Sequence, residues 1–228
     1  MIQKSDIPAV FNTLAPKYDK INRILSGYQD VRWRKKMAQI MRTKKPELLV
    51  DVATGTADVL LSLLENNIQF KQAIGIDPAV DMLAVGRDKT KAYPQIRLET
   101  GVATALPLET GCVDVMTIAF GIRNVPDYKA GLAEMARVIK PGGELLILEF
   151  SLPPQPLRSL YLIYLRHILP TIGRLVSGHP TAYRYLNTTI ESFPYGPAFA
   201  RILQQAGFSS VQIHPLLAGV VSIYHAIR

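Results

Sequence analysis

The chain has 228 residues, of which 48% are hydrophobic and 19% charged, and it carries a net charge of +8. This composition excludes extensive disorder, and the single Cys112 excludes an intramolecular disulfide framework and a multi-cysteine metal site. The length suits one α/β domain with helical additions, and the cysteine content fits a reducing compartment, so we expect a cytoplasmic protein.

The N-terminal region is predicted to be helical over residues 6–43, with Pro46 marking its end. It contains no apolar run that resembles a signal peptide. Its basic residues indicate contact with nucleic acid, anionic lipid or an acidic partner, or a solvated helix face. These residues are Arg32, Arg34, Lys35, Lys36, Arg42, Lys44 and Lys45.

Strand and helix patterns then alternate along the chain. The predicted strands cover residues 48–52, 73–77, 96–100, 113–119 and 145–150, and the helical patterns between them cover 57–64, 80–90 and 128–139. Repeated β-α units of this kind predict an open parallel sheet with helices on both faces. Ligands of such sheets bind at the carboxyl ends of the strands.

Beyond Ser151 the pattern changes. Prolines at 153, 154 and 156 lead into an amphipathic helix whose apolar stripe extends from Leu157 to Leu169. The stripe either packs on the domain or meets a membrane surface. The chain closes with a helix over 197–206 and strands over 211–215 and 220–227, which predict an antiparallel pair at the sheet edge.

The turn after the first strand contains one glycine, Gly55, and lacks the three-glycine pattern of a dinucleotide-binding turn. It leads into a helix N-terminus, which favours an anion such as the carboxylate of a methionine moiety, and Thr56 can add a hydroxyl. The alternative is an ordinary turn in which Asp58 caps the helix.

Asp77 ends the second strand, 22 positions after Gly55. A carboxylate there can accept hydrogen bonds from vicinal ribose hydroxyls, whereas the alternative is a strand-end turn residue before Pro78. Together the turn and the acid predict a nucleoside-containing cofactor.

Three further segments make the pattern specific. They are Tyr18 to Ser26 with Trp33 at its expected distance, Phe120 to Val125, and Arg137 to Ser151. These segments resemble the signatures of the ubiquinone/menaquinone biosynthesis C-methyltransferases (UbiE/MenG), and the resemblance continues to Val221. It implies the class I S-adenosylmethionine (SAM)-dependent methyltransferase fold, which is Rossmann-like, with a mostly parallel sheet and a C-terminal antiparallel strand.

The activity that the resemblance implies is methylation of a ring carbon of a polyprenylated hydroquinone, either demethylmenaquinol or a ubiquinol precursor. Thr54 and Ala57 resemble the menaquinone branch. A ring carbon attacks a sulfonium when it is electron-rich, and deprotonating the neighbouring phenol, whose pKa lies near the ~10 of tyrosine, supplies that electron density. No metal is needed.

Site residues follow from the resemblance. Arg123 is assigned to the developing phenolate and Asn124 to the ring oxygen, the alternative for Arg123 being a salt bridge with Asp127. Substrate contacts are assigned to Tyr18, Tyr183 and Arg184, and Tyr185 is a further candidate. The alternatives are helix packing for Tyr18 and a structural network for the other three. The expected cofactor-binding residues are Gly55, Thr56, Asp77, Val102, Ala103 and Ala119.

One domain is expected over residues 1–228, with 1–45 as a helical cap and 152–192 as an inserted helical segment over the substrate. The expected partners are a polyprenyl quinol and, transiently, a membrane surface; a homodimer is an open alternative. Nucleic acid is not an expected partner, because the basic cluster offers only Trp33 for base stacking. A nucleic-acid methyltransferase is therefore the least favoured alternative function.

Four residues depart from the family pattern: Asp30 stands where the signature has His, Ile21 where it has Met, Val102 where relatives often carry Asn or Asp, and Ala119 where Ser is frequent. Val102 removes a side-chain contact to adenine and leaves the backbone N–H of Ala103. These departures keep open a SAM-binding scaffold protein that has lost catalysis.

Overall fold

The structure, a computed structural model, describes residues 4–171 and 180–228. Seven strands form one sheet in the order β3-β2-β1-β4-β5-β7-β6. The strands are β1 Leu48–Val52, β2 Gln72–Asp77, β3 Ile96–Thr100, β4 Val113–Ala119, β5 Ile139–Phe150, β6 Ser210–Leu216 and β7 Val221–Ile227. Strands β1 to β5 are parallel, whereas β7 is antiparallel to both β5 and β6, as the sequence predicts.

Helices cover both faces of the sheet. They are α1 Ile7–Leu14, α2 Tyr18–Ser26, α3 Gln29–Ile40, α4 Asp58–Glu65, α5 Val80–Thr90, α6 Tyr128–Val138, α7 Leu157–Ile163, α8 Pro180–Ser192 and α9 Pro197–Gln205. None of the described helices is long and apolar enough to cross a bilayer.

The period-2 alternation of the strands separates two cores. Val50 of β1 packs in one core with helices α6 and α9, while the adjacent Leu49 packs in the other with α3, α4 and α5. Because β2 and β4 lie on opposite sides of β1, the chain reverses direction across the sheet there. The carboxyl ends of these strands therefore border a crevice suited to a ligand.

The predicted N-terminal helix is in fact three helices, and it ends at Ile40 rather than at residue 43. Pro16 lies in the 3-10 turn between α1 and α2, and Gly27 ends α2 in the left-handed conformation at φ +58°. Tyr28 is also left-handed, so the chain changes direction before α3.

Strand β5 begins at Ile139, earlier than the predicted residue 145. The register with β4 shifts between Val113 and Val115, and the extra residues, including Pro141 and Gly142, bulge from the ladder. The glycine occupies φ +77°, and its N–H donates to the carbonyl of Arg228, which ties the bulge to the C-terminus.

The helix predicted from Leu157 to Leu169 changes to π-helical geometry over Tyr164–Ile168. The apolar stripe is only partly buried. Tyr161, Tyr164 and Leu165 face the interior, whereas Leu157 and Leu160 are exposed.

Candidate functional site

A cavity of about 300 Å³ lies at the carboxyl ends of the parallel strands. Five of the six predicted cofactor-binding residues line it: Gly55, Asp77, Val102, Ala103 and Ala119. They come from the ends of β1, β2 and β4 and from the segment after β3, so the fold brings together residues that are far apart in sequence. We refer to this space as the strand-end cavity.

Asp77 is held at this edge by two backbone donors. The N–H of Gly55 donates to its Oδ2 at 2.9 Å and the N–H of Ala79 to its Oδ1 at 2.8 Å. Burial raises the pKa of Asp77, and these two hydrogen bonds act in the opposite direction. Each carboxylate oxygen can accept a further hydrogen bond from a ligand.

Two glycines allow close approach of the backbone beside the cavity. Gly55 has φ +54°, and a Cβ there would lie 3.0 Å from the Cε of Met82. At Gly121, just after β4, a Cβ would lie 2.5 Å from the Cβ of Ala53. A side chain at position 121 would therefore separate the turn after β1 from the segment after β4.

Thr56, the sixth predicted residue, does not line the cavity. Its hydroxyl donates to Oδ1 of Asp19 at 2.6 Å, and the Nζ of Lys89 lies 3.3 Å from the same hydroxyl. The threonine therefore ties the turn after β1 to helix α2, which carries Asp19.

Asp58 does not cap α4, contrary to the alternative considered above. The N-cap residue is Ala57, which makes no side-chain capping bond. The Asp58 carboxylate instead pairs with Arg23 at 2.7 Å, with Arg34 at 3.3 Å and with Lys89 at 2.5 Å. Burial tends to raise the pKa of Asp58, but these three cations more than offset it and lower the pKa.

The same charged cluster contains Asp30, the residue that stands where the family signature has His. Asp30 is buried, accepts from both Arg23 and Arg34, and also accepts from the hydroxyl of Ser26. Arg34 therefore belongs to an internal ion-pair cluster and not to the basic surface expected from the sequence. The cluster fastens α2 and α3 to α4 and α5.

A second cavity, of about 420 Å³, adjoins the first. Its walls are mostly apolar and come from α1, α2, α3, α7 and α8 together with the ends of β4 and β5. Aromatic side chains dominate one side, where the rings of Phe120 and Phe150 lie 4.7 Å apart and Trp33 lies 5.9 Å from Phe120. We call this space the apolar cavity.

The two cavities share a wall. Tyr18, Phe120 and Asn124 line both, as do Ile7 and Phe11 of helix α1. Phe120 occupies the left-handed region at φ +56°, which is strained for a residue with a side chain. A strained residue at the boundary between two cavities is typical of a functional site.

Arg123 lines the apolar cavity and pairs with Glu149, not with Asp127 as the alternative supposed. Its Nη1 donates to Oε1 of Glu149 at 2.6 Å and to the carbonyl of Phe120 at 2.7 Å. The guanidinium also lies 5.1 Å from the ring centre of Phe150. These contacts fix the guanidinium and stabilise the strained backbone at Phe120.

Buried polar atoms without a partner mark the part of the apolar cavity suited to a polar ligand. Within the described residues, Nε of Arg123, Oδ1 of Asn124 and the hydroxyl of Tyr185 are buried and form no hydrogen bond. All three residues line the cavity. Since buried polar atoms are almost always paired, these atoms are positioned for hydrogen bonds to a ligand.

Tyr18 is buried between the cavities. Burial raises the pKa of its phenol, which the side chain of Asn22 and the charges of Arg123 and Arg34 partly offset. The tyrosine is therefore a neutral hydrogen-bonding group at neutral pH.

Asp51, at the end of β1, is buried beneath the turn, and Thr117 donates to its Oδ1 at 2.6 Å. Burial raises its pKa to about 7, although the hydrogen bond acts in the opposite direction. Neither Asp51 nor Thr117 lines the cavities, and their hydrogen bond joins β1 to β4.

Tyr183 and Arg184 lie outside the residues whose side chains are described. Tyr185, for which the sequence leaves a substrate-pocket role open, lines the apolar cavity. Glu149, which holds Arg123, is not among the predicted site residues. It is the penultimate residue of β5, so its position at the carboxyl edge of the sheet is the available signal.

This doubly wound sheet, with its antiparallel last pair and a cavity at the strand ends, has the class I methyltransferase fold. The solved structures that it resembles include a SAM-dependent methyltransferase from Aquifex aeolicus, with a TM-score of 0.60, 18% identity and coverage of 85% of this chain and 88% of that chain. Another is a SAM-dependent methyltransferase from Thermotoga maritima described as a possible histamine N-methyltransferase, with a TM-score of 0.66, 15% identity and coverage of 96% and 98%.

Sequence comparison identifies the family to which the chain belongs. The model of the ubiE/COQ5 methyltransferase family matches residues 1–228. A demethylmenaquinone methyltransferase of Thermus thermophilus is 41% identical over 94% of this chain and 98% of its own length. That of Bacillus licheniformis is 36% identical, over 98% of each chain. The chain belongs to the ubiE/COQ5 methyltransferase family.

Proposed function

We propose that this protein transfers the methyl group of SAM to a ring carbon of demethylmenaquinol in respiratory quinone biosynthesis. The observation that carries the proposal is the shared wall of Tyr18, Phe120 and Asn124 between a strand-end cavity and an apolar cavity. Relatives that match nearly the full chain bear the name demethylmenaquinone methyltransferase, which supports the choice of acceptor.

The strand-end cavity fits SAM by the chemistry of its walls. Asp77 would accept hydrogen bonds from the two ribose hydroxyls, and Val102 and Ala103 would border the adenine. Gly55 would allow the methionine moiety to lie close to the backbone. When bound, SAM supplies a methyl group on a positively charged sulfur.

The apolar cavity fits an aromatic ring that carries a prenyl chain. Trp33, Phe120 and Phe150 offer flat apolar surface for the ring, and the surrounding aliphatic side chains exclude water. A ring held against the shared wall would place its carbon close to the strand-end cavity, so the two reactants meet without diffusing.

The polar atoms of the cavity suit a hydroquinone. Arg123 would stabilise the negative charge that develops on the ring oxygen, and the Oδ1 of Asn124 would accept from a ring hydroxyl. Tyr185 would donate to a ring oxygen, since its hydroxyl is buried and unpaired among the described residues. Glu149 would hold the guanidinium in place rather than contact the substrate.

The helical additions would enclose the acceptor. Helices α1 and α2, within the cap of residues 1–45, and helices α7 and α8, within the insertion of 152–192, line the apolar cavity. A prenylated acceptor resides in lipid, so we propose that the enzyme works at the membrane surface.

The test is transfer of label from methyl-labelled SAM to demethylmenaquinol by the purified protein. The reduced acceptor should be methylated and the oxidised quinone should not, because the quinone lacks the hydroxyl whose deprotonation activates the ring. Mass spectrometry of the product would locate the new methyl group on the ring carbon.

Two results would contradict the proposal. Binding of SAM without methylation of the quinol would favour the scaffold protein, and equal labelling of quinol and quinone would exclude activation by the phenolate. Deletion of the gene should lead to accumulation of the unmethylated quinone, which provides an independent measurement in cells.

A further inference from the structure

Several large apolar side chains are exposed around one side of the molecule. Tyr28 and Leu160 are each 65% exposed, although residues of these types are usually more buried. They belong to a set from the α2–α3 junction and from α7 that we call the apolar rim. The rim consists of Ile24, Tyr28, Val31, Leu157, Leu160 and Ile163.

The two halves of the rim border the same cavity. The hydroxyl of Tyr164 donates to the carbonyl of Leu25 at 3.1 Å, which joins the end of α2 to the segment that continues α7. Leu25 and Tyr164 both line the apolar cavity. Leu217 also lines it and is 55% exposed, so the wall of the cavity extends to the protein surface.

Positive charge lies next to the rim on the outer face of α3. Arg32, Lys35 and Lys36 are exposed, and none of them forms an ion pair with another described residue. On the inner face of the same helix, Arg34 is neutralised by Asp30 and Asp58. The outer face therefore presents uncompensated positive charge beside exposed apolar groups.

We propose that the apolar rim and the outer face of α3 dock the protein on an anionic lipid bilayer, with the opening of the apolar cavity facing the lipid. Apolar side chains would enter the interfacial region while the cations pair with lipid phosphates. The acceptor ring would then pass into the cavity while its prenyl chain stays in the bilayer. This inference rests on the proposed function for its substrate, but the docking itself can be tested without it.

The test is sedimentation of the full-length protein with vesicles. Vesicles of phosphatidylcholine mixed with phosphatidylglycerol should bind the protein, and vesicles of pure phosphatidylcholine should bind it weakly. Tyr28→Asp, Leu160→Asp and Lys35→Glu should each lower the affinity for the mixed vesicles about tenfold. High salt should weaken binding as well, because exposed charges are screened.

Matched controls lie elsewhere on the surface. Tyr93→Asp replaces another exposed tyrosine, and Lys91→Glu reverses another exposed lysine, both in the segment after α5. Neither should change vesicle binding. Equal binding to neutral and anionic vesicles, or rim variants that bind as tightly as the controls, would overturn the inference.

A second readout separates docking from chemistry. The rim variants should methylate a water-soluble acceptor that lacks the prenyl chain at the wild-type rate. Their turnover of a prenylated acceptor in vesicles should fall in proportion to their loss of vesicle binding. If the wild-type protein binds anionic vesicles but methylates neither acceptor, the proposed function fails and the docking surface stands. If the variants lose both activities equally, the rim has no separate role in docking.

Discussion

The guanidinium of Arg123 and the carboxylate of Glu149 form a buried ion pair at 2.6 Å across the base of the apolar cavity. Their side chains are 7% and 1% exposed. The pair joins the segment after β4 to the end of β5, and the same guanidinium nitrogen holds the carbonyl of Phe120. One interaction therefore fixes both the proposed charge-stabilising group and the strained residue at the shared wall.

Removing the charge of Arg123 should lower turnover without weakening cofactor binding. Arg123→Ala alone would leave Glu149 buried and unpaired, which costs roughly 3–5 kcal/mol of stability. The double variant Arg123→Gln, Glu149→Gln removes both charges and avoids this cost. We expect its kcat to fall at least about 100-fold, since a donor to the developing oxyanion is lost.

Turnover of methyl-labelled SAM and calorimetric titration of SAM provide the two measurements. The single variant Glu149→Gln is the control, because it retains the guanidinium and an amide oxygen that can accept from it. It leaves the guanidinium without its counter-ion, so its Tm is measured beside its kcat. The kcat of the folded protein should fall less than that of the double variant. A double variant that folds and turns over at the wild-type rate would remove Arg123 from the mechanism.

Asp77→Asn should weaken SAM binding about tenfold or more, because an amide has one acceptor oxygen where the carboxylate has two. The backbone N–H groups of Gly55 and Ala79 would compete for that oxygen. Titration calorimetry measures the change, with Asp88→Asn, an exposed position on α5, as the control. Unchanged affinity in the Asp77 variant would refute its assignment to the ribose.

The fold is predictable from this sequence because periodicity and turn residues are local signals. The strands around Leu49 and Val115 and the edge pair after Gly207 are predicted by the alternation of strand and helix patterns and by the turn residues between them. The end of α2 is marked in the sequence by Gly27, which favours the left-handed conformation that it adopts there. The π-helical segment at Tyr164 is not predictable in this way, since π-helices have no distinct periodic pattern.

The site was less predictable because it depends on pairings between distant residues. Gly55 and Asp77, predicted as cofactor contacts, both line the strand-end cavity, because the fold fixes the distance from the turn to the acid. Thr56 was assigned to the cofactor, but its hydroxyl bonds Asp19, 37 positions earlier, a partner that no local pattern reveals. The pairing of Arg123 with Glu149 is likewise invisible in the sequence, where Asp127 is the nearer acid.

Tyr185→Phe should lower turnover without destabilising the protein. The hydroxyl is buried and without a hydrogen bond among the described residues. Removing it therefore breaks no hydrogen bond, and it relieves the cost of burying an unpaired polar group. We expect an unchanged or slightly higher Tm and a kcat reduced about tenfold, since one donor to the ring oxygen is lost. Differential scanning calorimetry and labelled turnover measure the two effects.

The contrast with Tyr224→Phe makes this prediction specific. Tyr224 is also buried, but its hydroxyl accepts from the N–H of Gly196 at 2.6 Å, away from both cavities. That variant should lose stability by about 1 kcal/mol and retain turnover. A Tyr185 variant that loses stability but keeps its turnover would indicate a structural role instead.

Glu144 should make the protein acid-sensitive. Its carboxylate is buried and accepts from the backbone N–H groups of Arg42 and Thr43, from the Thr43 hydroxyl and from Nε2 of His225 at 2.7 Å. Burial raises the pKa of Glu144, but these hydrogen bonds more than offset that effect and lower the pKa from 4.5 to about 2.

A carboxyl whose pKa is lower in the folded protein stabilises the fold above its unfolded pKa and loses this contribution as pH falls. The free energy of unfolding should therefore fall by roughly 3 kcal/mol between about pH 4.5 and pH 2 through Glu144.

Glu144→Gln should be less stable at pH 7, and its stability should depend less on pH between about pH 4.5 and pH 2. Denaturant unfolding at a series of pH values measures both, with Glu65→Gln, an exposed position on α4, as the control. If the Glu144 and Glu65 variants lose the same stability on acidification, the acid sensitivity comes instead from another carboxylate such as Asp58, whose pKa is also lowered by its cation partners.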